Sequence, residues 1–222
     1  PRPPPRADPT VLPDVALTAS GLPTRRGGGP SVYPPGPKAV LEYNYVKPDY
    51  WDPAPGPERY RRSLYMFRKR SMPDPALSSF DAPNGDASCA RRLRSNTPLS
   101  ALTSLNEPIF VEAAQAPALR IVREAGPTTA ERTNYGYLLT TGRPAQPSET
   151  AAISELLASQ DSRLAEGWLD IRQIAFPDPN VVPELPAGVI PRDVAKWAMA
   201  SRVLLNLHEP LRKNWSSPFL IN

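Results

Sequence analysis

The sequence has little of what catalytic and metal-binding sites are most often built from. It contains one cysteine, Cys89, and one histidine, His208. A single cysteine excludes both an internal disulfide and a structural zinc site made of cysteine ligands within this chain. A single histidine excludes metal sites with several histidine ligands, and a Ser-His-Asp triad would have to use His208 as its base.

Long apolar runs are also missing. No stretch of about 18 consecutive apolar residues occurs, so the sequence predicts no membrane-spanning helix in these residues. The first residues, PRPPPRADPT, contain neither an initiating methionine nor the apolar core of a secretory signal peptide. We therefore expect the chain to be an internal or processed piece of a longer protein.

The surplus of positive charge is small. The chain has 26 basic and 22 acidic residues, which gives a formal net charge of +4. A surplus of this size favours solubility more than it favours binding to nucleic acid. Nucleic acid is therefore not an expected partner of the chain as a whole.

Proline is the residue that the sequence has in excess. The chain has 31 prolines in 222 residues, whereas an average protein has about 5% proline. Many of them, together with a glycine run at 27–29, lie in residues 1–37. Because proline fixes φ and removes a backbone donor, this segment is predicted to be an extended arm. One short helical turn is expected within it, over 14–20 and ending at Gly21.

Two short runs after the arm are rich in β-branched and aromatic residues. They cover residues 40–46 and 63–67 and are bounded by proline, glycine and aspartate. Such runs are typical of β-strands. We therefore predict a short antiparallel strand pair, joined by a long loop, within residues 38–96.

From Thr97 onward the pattern changes to helix. Thr97-Pro98 is a typical N-cap followed by proline at the first helical position. Leu99, Leu102 and Leu105 then have the spacing of a buried helix face. Similar signals predict further helices over residues 109–124 with a kink at Pro117, 129–140 ending at Gly142, 147–160 and 192–207.

The predicted fold is mainly α with much irregular Pro-rich coil. In it, the extended N-terminal arm and the short antiparallel strand pair precede a C-terminal bundle of about five helices. The bundle covers residues 97–213 and a tail covers 214–222. All of these parts are expected to form one structural unit.

A basic and aromatic segment is the first candidate for a binding surface. In residues 59–70, five arginines and one lysine are interspersed with Tyr60, Tyr65 and Phe67. The favoured interpretation is a strand with one buried aromatic face and one solvated basic face. Two alternatives stay open: a nucleic-acid surface with stacking aromatics, and a docking face for an acidic glycan or a partner. Arg61 and Arg62 are the candidate binding residues.

A second polar cluster is expected around Asp81. Its other members are three arginines and an asparagine: Arg91, Arg92, Arg94 and Asn96. Because the arginine side chain is a planar fork that matches a carboxylate, Asp81 is expected to pair with an arginine of this run. The favoured interpretation is an internal network that pins the Pro-rich loops. The alternative is an anion or sugar site.

The remaining reactive side chains have simpler interpretations. Cys89 is expected to be buried and inert, with an intermolecular link to another chain as its alternative role. His208 is expected near the negative end of the last helix, with a haem axial ligand for another subunit as the alternative.

Glu107, Glu112 and Asp81 include enough carboxylates for a glycosidase pair. However, a glutamate in the first turn of a helix, as Glu107 is, complements the helix dipole without catalysis.

Several longer motifs resemble those of a known family. They are GGGPSVYPP at 27–35, RRSLYMFRKR at 61–70, FDAP at 80–83, RRLRSNTPL at 91–99, LNEPIFVEAA at 105–114, GRP at 142–144 and RVLLNLHE at 202–209. In this order they resemble the C-terminal domain of unknown function of large planctomycete and verrucomicrobial proteins. Such proteins often also contain a haem-c domain.

The resemblance implies more about context than about chemistry, since the family has no settled activity. It implies a parent protein exported to the periplasm or the cell surface, of which this chain is the last third or less. It also implies partners among other domains or chains of that parent, including a haem-c protein. No cofactor is expected in this chain, and haem c would belong to a companion domain or subunit.

The function expected from the residues and the resemblance together is structural. We expect a non-catalytic domain that holds partner domains or subunits of an exported, haem-c-associated protein together. The alternative from another class is a carbohydrate-active or other hydrolase with its site near Asp81 and residues 91–96. Nucleic-acid binding through residues 59–70 is the weaker alternative.

Overall fold

The structure is a computed structural model of the 222-residue chain. It describes residues 7–8, 10–24, 26–33, 35, 52–69, 73–83, 85, 87–91, 95, 97–207 and 209–211. In these residues the chain forms eight α-helices, two 3-10 turns and no β-strand. The prediction of a mainly helical fold with much irregular coil is therefore confirmed.

The helices are numbered here in chain order. They are α1 (Leu12–Ser20), α2 (Pro75–Ser79), α3 (Pro98–Asn106), α4 (Pro108–Glu124), α5 (Thr129–Thr141), α6 (Pro147–Ala165), α7 (Ile171–Ala175) and α8 (Pro191–Leu205). The 3-10 turns are Gly56–Tyr60 and Ser63–Tyr65. No helix within the described ranges is both long enough and apolar enough to cross a bilayer.

The predicted strand pair is not supported. Its second half contains the 3-10 turn Ser63–Tyr65, and its first half, 40–46, lies outside the described residues. The backbone around this turn bonds the Pro-rich arm instead: Val32 N donates to Tyr65 O at 2.8 Å, and Phe67 N donates to Val32 O at 2.8 Å. Pro30, two residues before Val32, has no backbone donor for a longer ladder, and among the described residues the arm forms only isolated bridges, Val32 with Met66 and Thr24 with Arg61.

Capping residues explain where the helices begin. The Thr97 side chain accepts from Ser100 N and starts α3, and Thr128 forms a capping box with Glu131 at the start of α5. Helix α5 ends at Gly142, whose φ of 75° is the left-handed conformation expected there. The predicted cap of α3 at Thr97-Pro98 and the predicted glycine end of α5 are therefore confirmed.

Helix α4 runs through Pro117 to Glu124, the predicted end, with the proline ring buried in the core. One helix is longer than predicted, and two short helices were not predicted. Helix α6 continues to Ala165, past the predicted end at 160, because Leu164 is also buried and no breaker occurs before Gly167. Short helices α2 and α7 were not predicted, since five residues are too few to show a helical period.

In the described residues the core consists of two apolar clusters joined by α4 and α8. One contains the C-terminal half of α4 with residues of α5 to α8, and the other contains α1, α2 and the N-terminal half of α4. Small residues let the helices approach closely: a Cβ built on Gly136 of α5 would lie 2.9 Å from Leu204 Cδ1. A side chain at position 136 would therefore force Leu204 and Ile121 to shift where α5 crosses α8.

The N-terminal arm is partly helical and lies on the rest of the chain. Helix α1 buries Leu12, Ala16 and Leu17 in the second cluster and contacts α4. It ends at Gly21 with φ 78°, where Leu22 N donates to Leu17 O and Gly21 N donates to Thr18 O. This Schellman cap confirms the expected helical turn and its glycine stop.

Candidate functional site

Arg61 is almost completely buried, although it belongs to the basic segment. Its residue exposure is 2%, and its guanidinium donates to the carbonyl oxygens of Gly28 and, at 2.9 Å, Pro30. The guanidinium carbon lies 4.2 Å from the centroid of the Tyr65 ring. Arg61 therefore uses its charge inside the chain, where it holds the glycine-rich part of the arm.

Asp14 joins helix α1 to the same 3-10 turn. Its Oδ1 accepts from Ser63 N at 2.7 Å and from Ser63 Oγ at 2.9 Å. Arg62, whose side chain is 64% exposed, lies with Nε 3.4 Å from Asp14 Oδ2. Of the two candidate arginines, Arg62 thus reaches solvent and Arg61 does not.

Asp81 occupies the C′ position of helix α2. It is the only non-glycine residue among the described ones with a positive φ, 65°. Asp81 N donates to Ser78 O at 3.1 Å and Ala82 N donates to Leu77 O at 2.9 Å, which is again a Schellman cap. The left-handed conformation of Asp81 is therefore explained by helix termination, because aspartate tolerates this region better than most residues.

The Asp81 carboxylate binds Ser95. Its Oδ2 accepts from both Ser95 N and Ser95 Oγ at 2.6 Å. The structure thus brings Asp81 together with the segment in which the sequence predicts its partners. Arg92, Arg94 and Asn96 lie outside the described residues, as does His208.

Cys89 and Arg91 are both exposed. The prediction that Cys89 is buried is wrong, because it lies in an irregular Pro- and Gly-containing loop rather than on a buried face. Its Sγ lies 3.3 Å from Arg91 O, and the thiol is a weak donor to that oxygen.

A cluster of carboxyl groups that the sequence pattern did not single out as a unit lies between α2 and α4. Glu107 is the N-cap of α4: its Oε2 accepts from Ile109 N at 3.0 Å, and the residue is 8% exposed. Burial, together with the neighbouring Asp74 carboxylate, raises the pKa of Glu107 to about 8. Burial also raises the pKa of Asp74, the N-cap of α2. Glu107 is therefore largely protonated at neutral pH.

Glu112 forms the charged edge of this cluster. Arg59 Nη2 lies 2.8 Å from Glu112 Oε1, with only 12% of the Glu112 side chain exposed. Burial and the nearby Glu112 carboxylate raise the pKa of the Tyr60 hydroxyl. Arg59 is thus engaged in an ion pair that links the segment before Arg61 to helix α4.

The arrangement of acids limits the chemistry available here. A carboxyl with a pKa near neutrality is a feature of general acids, but the buried Glu107 is held by a backbone N–H at the helix start. Within the described ranges, no group of three or more histidine, cysteine, aspartate or glutamate side chains has the geometry to hold a metal ion. We therefore interpret the cluster as structural, with Glu107 capping α4 and Asp74 capping α2.

Helix α3 turns its leucines outward. Leu99 is 62% exposed and Leu102 is 57% exposed, whereas Ser100 and Ser104 are buried. The prediction that the leucines form a buried face is wrong for these two residues. Periodicity defines an apolar stripe but not which neighbour covers it. Here the serine face lies inward because Ser100 completes the cap and Ser104 Oγ donates to Asn206 Oδ1.

Polar contacts join motifs that are far apart in the sequence. Arg143 of the GRP motif bonds Glu149 at 2.7 Å and Glu209 of the RVLLNLHE motif at 3.0 Å. Arg202 of that last motif also donates to the carbonyl of Leu105, in the LNEP motif. The motif residues thus bind one another and fasten the bundle.

Sequence reasoning missed some of these site residues for an identifiable reason. Asp14 acts through Ser63, and Asp74 acts on Glu107 as well as on its own helix, so these partners lie far along the chain. The signal that was available was local: Asp74-Pro75 is an N-cap followed by proline, as Thr97-Pro98 is. That signal predicts where the helix starts, but it does not predict that Asp74 lies near Glu107.

Comparison with known proteins places the chain in a family. The family model that matches is described as a protein of unknown function (DUF1553), and the match covers residues 2–157. No curated protein and no solved structure matches the chain significantly. The matched segment includes Arg61, Asp81, Glu107 and the outward leucines of α3. Since the match extends over more than half of the sequence, the chain belongs to this family of proteins of unknown function (DUF1553).

Proposed function

We propose that this chain is a non-catalytic structural and interaction domain that holds other domains or chains of a longer parent protein in place. The observation that carries the proposal is the outward leucine pair of helix α3. Leu99 and Leu102, one helical turn apart, are each more than half exposed. Burying such side chains against a partner stabilises a contact by roughly 1–2 kcal/mol each.

The way α3 is attached supports the same proposal. Its inner face is made of Ser100 and Ser104, whose hydroxyls bond Thr97 and Asn206. An amphipathic helix that binds its own domain through serines and presents leucines outward is the reverse of an ordinary surface helix. Such a reversal is accounted for when the apolar face is covered in the assembled protein.

The contacts that the candidate binding residues make within the chain also support a structural role. Arg61 holds carbonyl groups of the arm, Asp14 holds Ser63, and Asp81 holds Ser95. Arg59 is paired with Glu112, so two of the basic residues expected on a nucleic-acid surface are used internally. These contacts give the Pro-rich segments fixed positions from which they can present a surface.

The proposed partners and location rest on the resemblance of the motifs. They are other domains or chains of an exported, periplasmic or cell-surface parent, among them a haem-c protein. No cofactor is assigned to this chain in the proposal. Its contribution is to position companions, one of which carries the haem.

Hydroxyl-radical footprinting tests the proposal at the residues that carry it. The isolated chain and the chain within the assembly purified from its source are oxidised in parallel, and modification is quantified by peptide mass spectrometry. Leu99 and Leu102 are expected to be modified in the isolated chain and protected in the assembly. Val181, which is 61% exposed in the segment between α7 and α8, is the internal control. Equal modification of the leucines in both samples would contradict the proposal.

A further inference from the structure

A groove between helices α5, α6 and α8 is separate from every residue discussed so far. It has a volume of about 300 Å³. Its walls are formed by Thr129, Arg132, Ser154, Leu157, Ala158, Asp161, Asp193, Lys196 and Trp197. This volume lies at the lower end of the range of about 300–1,000 Å³ that small-molecule sites occupy.

The acidic groups of the groove are already neutralised. Lys196 Nζ lies 3.1 Å from Asp161 Oδ1 and 3.0 Å from Asp193 Oδ1. Arg192 Nε lies 3.0 Å from the same Asp161 oxygen. These hydrogen bonds and charges from Lys196 and Arg192 lower the pKa of Asp161, so it stays ionised and paired. Neither carboxylate is left over to neutralise a further cation.

Arg132 is the cation without a counterpart in this groove. Its Nε is buried and has no hydrogen-bond partner among the residues that the structure describes. No carboxylate of those residues comes within ion-pair distance of it, and the groove acids pair with Lys196 and Arg192. Four other arginines also have a buried Nε without a partner, but each of them bonds a carbonyl oxygen or lies against a carboxylate, and Arg132 does neither among the described residues. A guanidinium fork matches the two oxygens of an oxyanion.

We propose that this groove binds the oxyanion group, a carboxylate or a phosphate, of a small molecule, and that Arg132 is the residue that binds it. The hydroxyl groups of Thr129 and Ser154 line the same space and supply further polar contacts for the body of the ligand. Leu157 and Ala158 supply an apolar wall. The site does not include the leucine face of α3, so a negative result for the groove leaves the proposed structural role unaffected, and the reverse also holds.

The test follows the Arg132 guanidinium directly. The full chain is labelled with ¹⁵N-arginine, and the Nε–Hε signals are recorded while succinate, inorganic phosphate or neutral succinamide is added at constant ionic strength. Saturable shifts of the Arg132 signal with succinate or with phosphate are expected, and succinamide is expected to cause none. The titration that reaches saturation, with succinate or with phosphate, shows whether the groove prefers a carboxylate or a phosphate.

Three variants complete the test. Arg132→Gln is expected to weaken binding at least tenfold, read from backbone amide shifts of Thr129 and Ser154, and Arg132→Lys to weaken it less, because lysine keeps the charge without the fork. Arg172→Gln removes the same charge from an exposed position on α7 and is expected to bind as the wild type does. Absence of saturable shifts in the wild type would overturn the proposal. So would succinamide binding as tightly as succinate, or binding unchanged in Arg132→Gln.

Discussion

The Arg61 guanidinium lies over the Tyr65 ring, 4.2 Å from its centroid, and both side chains hold the same glycine segment. Arg61 donates to the carbonyls of Gly28 and Pro30, while the Tyr65 hydroxyl accepts from Gly28 N at 2.9 Å. A segment of glycines and prolines has little side-chain packing of its own. The stacked pair therefore fixes the arm by binding its backbone.

Arg61→Lys is expected to lower the free energy of unfolding by about 2–4 kcal/mol, because lysine can neither make both carbonyl contacts nor stack as a plane. Urea unfolding followed by circular dichroism measures the change. The matched control is Arg62→Lys at the neighbouring, 64% exposed position, which should cost less than about 0.5 kcal/mol. Equal costs at the two positions would show that Arg61 does not hold the arm.

Glu107→Gln is expected to change how stability depends on pH. Burial raises the pKa of Glu107 from 4.5 to about 8, so the folded state holds this proton more tightly than the unfolded chain does. The stabilisation from that proton is complete below pH 4.5 and is lost as the pH rises to about 8. Glutamine keeps the cap oxygen and carries no charge, so the variant avoids this loss.

As the pH rises through this range, the free energy of unfolding of the wild type should therefore fall relative to that of Glu107→Gln, and the variant becomes the more stable of the two. The gain is about 1.4 kcal/mol for each pKa unit by which the folded and unfolded states differ. Glu155→Gln, on the exposed face of α6, is the control for the loss of one negative charge. Parallel profiles for wild type and Glu107→Gln would contradict the protonated, buried state of Glu107.

Substitutions of Asp81 separate its backbone role from its side-chain role. Asp81→Ala loses both bonds to Ser95 and leaves a non-glycine residue at a φ of 65°, so a cost of about 2–3 kcal/mol is expected. Asp81→Gly loses the same bonds, but glycine adopts the left-handed conformation without strain. Asp81→Asn keeps one side-chain oxygen as an acceptor. Both variants should therefore lower the free energy of unfolding by less than Asp81→Ala does. Thermal and urea unfolding give the ranking. If Asp81→Ala were no worse than Asp81→Gly, the cap interpretation would fail.

The two faces of α3 should respond oppositely to substitution. Leu99→Glu with Leu102→Glu is expected to change the free energy of unfolding of the isolated chain by less than about 1 kcal/mol, since both side chains are already largely in water. Ser104→Leu should cost about 1–3 kcal/mol, because it overfills the packed side and removes the bond to Asn206. A large loss of stability from the glutamate pair would mean that the leucines are covered within the chain itself.

The sequence predicted what depends on neighbouring residues. The Thr97-Pro98 cap fixes the start of α3 through a bond that spans three residues, and Gly21 and Gly142 mark helix ends through their own φ. Such signals are complete within a short window of sequence. The mainly helical fold followed from them.

What depends on distant residues escaped prediction. The aromatic alternation at 63–67 predicts a strand only if a partner strand can donate hydrogen bonds, and the Pro-rich arm beside it supplies too few. The leucine stripe of α3 has the same spacing whether its own chain or a partner covers it. The raised pKa of Glu107 depends first on burial in the folded chain and then on Asp74, the N-cap of another helix. Each of these outcomes was decided by tertiary contacts.

The claim that this chain acts by holding companions is tested most directly by native mass spectrometry, combined with a haem absorption spectrum, of the assembly purified through a tag on the chain. The account predicts a complex of defined mass with at least one companion segment and a haem-c spectrum. It also predicts that the Leu99→Glu, Leu102→Glu variant, while equally well folded, loses that companion. Wild-type chain that appears alone, or a variant that retains the whole complex, would contradict the account.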